Sequence, residues 1–379
     1  MGHADEKDTV NRKGIVMKIC TIVGARPQFI KAGPLSRVLQ REHEEIIIHT
    51  GQHYDSNMSS VFFDELNIPK PKYNLGISGG THAQMTGKML SAIEEALLAE
   101  QPDMVVVFGD TNSTLAGALA AVKLQIPIAH IEAGCRVHDL RNPEEVNRVL
   151  VDRISSLLLC ATQSAVTSLE NENLRTGLHF TGDLMYDAAL YYGDKANEME
   201  NHRIVGFNDN LVNLPPQYYL LTCHRQENTE TDAALFQILS AMNELDKPTI
   251  YPVHPRNRER ADRLCTQNSF SNIMLIQPVG YLSSLYLIRS AEKIVTDSGG
   301  VQREAWFFNK QCVTVWNWVA WPETLEGNIN QMAMPQKDDI IKKLQVIPDF
   351  AKKAEYFGDG HAAEKITKVI TDFLTNRTQ

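Results

Sequence analysis

Two carboxylates in this chain stand just beyond short apolar runs, the positions from which a parallel α/β sheet delivers its chemistry, and a third follows twelve residues after the second. Asp110 lies in Phe108-Gly109-Asp110-Thr111-Asn112-Ser113, Glu132 in His130-Ile131-Glu132-Ala133-Gly134, and Glu144 in Pro143-Glu144-Glu145-Val146-Asn147-Arg148. Arg136 and Arg148 are close enough in sequence to pair with them or to bind an anion. Carboxylates gathered beside cations are how enzymes set acid and base pKa values apart. Singly, each would read as a helix cap or a surface residue, Asp110 included. Their conjunction at successive strand ends is what points to a site.

A second group of residues suits a phosphorylated ligand. After the first apolar run comes Gly24-Ala25-Arg26-Pro27-Gln28-Phe29-Ile30-Lys31, where Arg26 and Lys31 bring two cations to a helix start. His224 and His254 each follow an apolar run, and a histidine there can hold a phosphate or act as an acid near neutral pH. The strongest local pattern is Thr296-Asp297-Ser298-Gly299-Gly300-Val301-Gln302-Arg303-Glu304. Ser298 can cap a helix whose Gly299 and Gly300 let a diphosphate approach free N–H groups, and Glu304, one turn on, can reach ribose hydroxyls. No G-x-G-x-x-G is present at the first turn, which disfavours NAD. His49 and His53 have the i,i+4 spacing of a zinc site, but Gly51 interrupts the stretch, and no metal is expected.

The elements that must position these residues follow one rhythm of short β-branched runs alternating with helix-period segments, the pattern of βαβ units. In the first half, strands are expected at Ile19–Val23, Glu45–His49, Met104–Phe108, Ile126–Ile131 and Leu157–Ala161, with helices such as Gln84–Ala99 and Ser113–Leu124. A second set begins at Tyr219–Thr222 and continues at Thr249–Pro252, Ile273–Leu275, Lys293–Thr296 and Cys312–Val315. The fold class is therefore α/β, two Rossmann-like doubly wound domains with the active site in the cleft between them. The boundary is placed near Gly182–Tyr192, so that residues 17–185 form one domain and 186–361 the other. Ala362–Leu374 reads as a final helix.

At 379 residues, two cores are the natural expectation. A formal charge of -9 argues against a nucleic-acid partner. Six cysteines without a C-x-x-C pair suggest free thiols in a reducing compartment, hence the cytoplasm. No apolar run is long enough for a membrane span. Residues 1–16 are polar and mixed in charge, unlike a signal peptide, and are expected to be a disordered extension before a natural start at Met17.

Together the motifs G-A-R-P-Q-F-I-K, H-T-G-Q-H-Y-D, G-D-T-N-S, H-I-E-A-G, P-E-E-V-N-R, C-H-R-Q-E-N, T-D-S-G-G-V-Q and F-G-D-G resemble the non-hydrolysing UDP-N-acetylglucosamine 2-epimerase family, from about Lys18 to the last helix. The resemblance implies the two-domain, GT-B-like fold shared with many glycosyltransferases, with the last helix, 362–379, returning to the first domain. It implies catalytic-site roles for Lys31, Asp110, Glu132, Glu144, Arg148 and His224, and UDP or substrate binding by Arg26, His254, Gly280, Ser298, Gly299, Gly300 and Glu304. Gln52 and His53 match positions that bind a second, regulatory sugar nucleotide in some members. A UDP-sugar substrate, no cofactor and a homodimer are implied as well.

One stretch departs from the family pattern. Where members usually have an arginine and a Thr-Glu pair, this chain has Val315-Trp316-Asn317-Trp318-Val319-Ala320-Trp321-Pro322-Glu323; Cys135 and Arg303 are milder departures. The departures bear on substrate identity more than on reaction class. F-I-K, Q-H-Y-D, P-V-G-Y and E-A-W-F-F also resemble the branch acting on a UDP-2,3-diacetamido uronic acid. A glycosyltransferase of the same fold, or a UDP-sugar sensor without turnover, are the alternatives from other classes.

Overall fold

The computed structural model describes residues 16–52, 63, 65–198, 204–319 and 321–378 of the chain. His53 and the N-terminal extension through residue 15 lie outside the described residues. Two parallel sheets form. The first comprises β1 (Lys18–Val23), β2 (Glu44–His49), β3 (Tyr73–Asn74), β4 (Met104–Phe108), β5 (Ile128–Ile131), β6 (Leu157–Cys160) and β7 (Leu178–Phe180), in the order β3-β2-β1-β4-β5-β6-β7. The second comprises β8 (Tyr219–Thr222), β9 (Thr249–Pro252), β10 (Ile273–Ile276), β11 (Lys293–Thr296), β12 (Gln311–Val315) and β13 (Asn330–Ala333), in the order β10-β9-β8-β11-β12-β13. Strand order reverses between β1 and β4, and again between β8 and β11, so each sheet has a crevice at its carboxyl edge for a ligand.

Helices cover both faces of each sheet, which is why β4 is an unbroken apolar run, Met-Val-Val-Val-Phe, with every side chain buried. The expected strands appear with small shifts. β5 starts at Ile128 rather than Ile126 because Pro127 has no N–H; only its carbonyl joins the ladder, accepting from Val105 at 2.9 Å. The short edge strands β3, β7 and β13 add to what the periodicity indicates.

After β7 the chain enters the helix Leu184–Glu198, which precedes the second sheet. This helix packs against Arg26–Leu39 on one side and against Tyr281–Ser290 and Gly299–Phe307 on the other. One hydrophobic cluster accordingly runs from Ile19 and Phe108 through Tyr192 to Tyr281, Trp306 and Trp321. The last helix, Ala362–Thr378, lies along Arg26–Leu39, and its first amides, Ala362 and Ala363, donate to Asp187 at 3.1 and 2.8 Å. Among the described residues, no helix is long and apolar enough to cross a membrane.

Candidate active site between the two sheets

The carboxyl edge of the first sheet gathers the predicted acids and cations. Glu132 follows β5 in the left-handed region, φ 67°, a conformation uncommon for a residue with a side chain and typical of functional sites. Its Oε2 forms an ion pair with buried Lys31 from the helix Arg26–Leu39 and lies 3.4 Å from Arg303 Nη1. Burial pushes the Glu132 carboxyl up, but Lys31 and Arg303 overcome it and hold the group at about 2. Arg303 Nη1 also contacts Asp183 Oδ2 at 2.7 Å. Asp110 is paired with Arg148, whose Nη1 donates to Glu145 at 2.9 Å. Cys135 sits among Glu132, Arg148, Arg303 and Asp110, and burial drives its thiol well above the ordinary range.

The helix Pro143–Ile154 separates two adjacent carboxylates. Glu145 is buried and accepts from the amides of Val137 and His138 at 3.0 and 2.8 Å, fixing the loop after β5. Glu144 is exposed, and its field reaches Arg225 on the other side. Arg136, which the sequence offers as an anion ligand, is instead tied to Asp152 and Glu172 at 2.7 and 2.6 Å. His130 bonds Asp152 through Nδ1 and the Gly109 carbonyl through Nε2, both at 2.7 Å, bracing the turn that carries Asp110. His49 packs edge-on against Phe29 at 5.1 Å, the behaviour of a core histidine.

The second sheet presents the cations. Asp297, buried at the end of β11, accepts from the amides of His224 and Arg225 at 2.9 Å and lies 3.0 Å from His224 Nδ1. This orients the half-exposed imidazole, with Nε2 available to a ligand. Ser298 caps the helix Gly299–Phe307 by accepting from the Val301 amide at 3.4 Å, leaving Gly299 and Gly300 at its open end. Burial, followed by the charges of Arg256, His224 and Arg26, depresses the His254 pKa. Glu304 is buried and pushed to about 7 by burial, against the pull of Tyr281, Arg26 and Arg303.

The two halves meet at Gly280. The amide of Tyr281 donates to Glu65 Oε2 at 2.9 Å, and Glu65 also fills the space that a side chain on Gly280 would need. Gln52 accepts from the Ser113 amide and hydroxyl at 3.0 and 2.7 Å, at the carboxyl edge of the first sheet. Of the tryptophans in the departing stretch, Trp316 stacks under Arg225 at 3.3 Å, and buried Trp321 stacks under Arg303 at 3.9 Å. Asp297, Asp183 and Glu65 are site residues that the sequence reading does not select, whereas Arg303 enters it as a departure from the family pattern. Only Asp297, next to Ser298 at a strand end, carries a signal that could have found it.

A pair of switch-point crevices, one lined with carboxylates and the other with cations and an open helix end, defines a two-sheet α/β enzyme of the sugar-nucleotide type. The sequence profile of the UDP-N-acetylglucosamine 2-epimerase family matches residues 37–371, and the chain belongs to that family, whose members are isomerases. A UDP-N-acetylglucosamine 2-epimerase homolog of Methanococcus maripaludis is 48% identical over 358 residues, 93% of this chain and 99% of that protein. The UDP-2,3-diacetamido-2,3-dideoxy-D-glucuronate 2-epimerase of Pseudomonas aeruginosa is 42% identical over 366 residues, 93% of this chain and 99% of that protein. The crystal structure of Methanocaldococcus jannaschii UDP-GlcNAc 2-epimerase in complex with UDP-GlcNAc and UDP superposes with a TM-score of 0.84 at 41% identity, covering 94% of this chain and all of that one.

Proposed function

We propose that the protein interconverts UDP-N-acetylglucosamine and UDP-N-acetylmannosamine by elimination and re-addition of UDP. The observation that carries this reading is the ionised Glu132, held beside Lys31 near the Asp110–Arg148 pair, opposite the Ser298 helix end and its cations. The C2 proton of the sugar is too weakly acidic to leave unaided. A carboxylate removes it as the C1–O bond breaks; the C–H electrons form the C1=C2 bond of 2-acetamidoglucal, and UDP departs with the C1–O pair. Arg26, His224, His254 and the amides after Ser298 receive the diphosphate as its charge grows, and Glu304 holds the ribose. Re-addition of UDP at C1 with a proton delivered to the opposite face of C2 gives the epimer. Asp110, Glu132 and Glu144 supply base and acid, Lys31 and Arg148 set their charge, and no cofactor takes part.

A second substrate, the UDP-2,3-diacetamido uronate, is favoured by the 42% identity to the Pseudomonas aeruginosa enzyme and by the tryptophans in the departing stretch. The same reading takes residues 17–185 with 362–379 as one domain and 186–361 as the other, and the enzyme as a cytoplasmic homodimer. Gln52, with His53, is read as a regulatory sugar-nucleotide contact. NMR of the reaction in deuterated water tests the mechanism: the manno epimer should carry deuterium at C2, and unlabelled product would exclude elimination. Turnover of the uronate alone would move the assignment to that sugar. UDP release only with an acceptor would indicate a transferase, and binding without turnover a sensor.

A further inference from the structure

Arg303 reaches the carboxylates of the first sheet from the helix that begins at Ser298, so one nine-residue helix carries both the proposed diphosphate end and a cation in the acid–base cluster. It is buried, its guanidinium carbon lies 3.9 Å from the centre of the Trp321 ring, and its Nη1 serves both Asp183 and Glu132. Lys31 and Arg303 both bind Oε2 of Glu132. The carboxylate is thereby held at one oxygen by two cations carried on different helices.

We infer that Arg303 is a positioning residue for the reaction, holding Glu132 from the opposite half of the molecule. This deepens the epimerase reading and rests on it. Two carboxylates, Glu132 and Asp183, lie within reach of one guanidinium, and without it they would face each other with Lys31, and more distantly Arg148, as compensating charges. Two such groups then share a proton. The groups acting on Glu132 are Lys31, Arg303 and Arg148; those acting on Arg303 are Asp183, Glu132 and Cys135, with Glu304 beside it on its own helix.

The test is Arg303→Gln, with Arg303→Lys as the conservative rescue, in the full-length enzyme. In the Gln variant, kcat/KM should fall about tenfold or more at pH 6 and gain an acid limb between about pH 5 and 7, as the Glu132–Asp183 pair takes up a proton. UDP affinity should stay within about threefold, and the Lys variant should push the limb back below about pH 5. Should the Gln variant not fold, the comparison is made between Asp183→Asn and Asp183→Asn/Arg303→Gln, which strands no second carboxylate; the limb should be higher in the double variant. Carboxyl NMR of labelled glutamate, with Glu132 assigned by its loss in Glu132→Gln, follows the same titration without turnover. An unmoved limb together with an unmoved Glu132 titration would overturn the inference. A wild-type enzyme that turns over neither sugar, with Glu132 titrating as expected, would overturn the epimerase reading alone.

Discussion

Glu304→Gln should make the protein more stable at alkaline pH while leaving it unchanged at acid pH. The wild-type carboxyl is buried at 4% exposure, and its pKa stands at about 7 against an ordinary 4.5. The folded state therefore binds this proton more tightly than the unfolded chain. The stability it contributes is complete below pH 4.5 and is lost as pH rises through about 7, where burying the charge costs about 3 kcal/mol. Glutamine keeps the size and polarity without the charge. Arg26 faces an uncharged neighbour in the variant at every pH, as it does in the wild type at acid pH. Asp187, raised by burial to about 6, has the same sign but is present in both proteins, so the difference between them isolates Glu304. Urea unfolding followed by tryptophan fluorescence should show equal midpoints near pH 3.5 and a gap opening to as much as about 3 kcal/mol by about pH 8.5. Parallel pH profiles for wild type and variant would refute the reasoning, because Glu304 would then titrate alike in the folded and unfolded states.

Glu132→Gln and Glu144→Gln should each lower turnover by about 100-fold or more with little change in UDP binding, and near-normal rates in both would remove them as acid and base. Asp297→Asn frees the His224 ring from a buried, charge-assisted contact at 3.0 Å; measured well below the variant's Tm, kcat should fall by about 100-fold, and an unchanged kcat would mean that His224 needs no such partner. Trp316→Ala removes the face beneath Arg225 and should weaken sugar-nucleotide binding by about 0.5–1.5 kcal/mol in calorimetric titration; unchanged affinity with a lowered Tm would make it a packing residue.

The strands were legible because parallel strands covered on both faces are continuous apolar runs, and the site followed from their carboxyl ends. Ser298 could be recognised as a helix cap from its glycine neighbours alone. The edge strands β3, β7 and β13 were not legible, since two to four residues show no period and Leu178–Phe180 and Asn330–Ala333 mix polar with apolar side chains. Adjacent Glu144 and Glu145 look alike in sequence, yet a turn of about 100° per residue sends Glu145 inward to Arg148 and leaves Glu144 outside. Glu65 meets Tyr281 across 216 residues and Arg303 meets Asp183 across 120, separations at which no local pattern informs. The departing tryptophans show the same limit. Their positions are plain in the sequence, but their arginine partners are not.

Gly182 and Gly358 lie side by side where the chain enters and leaves the second sheet's half. Both are left-handed, φ 89° and 86°, and the Asp183 amide donates to the Phe357 carbonyl at 2.9 Å. A Cβ on Gly182 would stand 3.0 Å from that carbonyl and 3.3 Å from the Gly358 Cα. Two passages bonded at one spot fasten the entry and the exit together, so a side chain at Gly182 would press the two stretches of chain apart. Because Asp183 also accepts from Arg303 Nη1, the same crossing ties the chain's entry and exit to the helix that begins at Ser298.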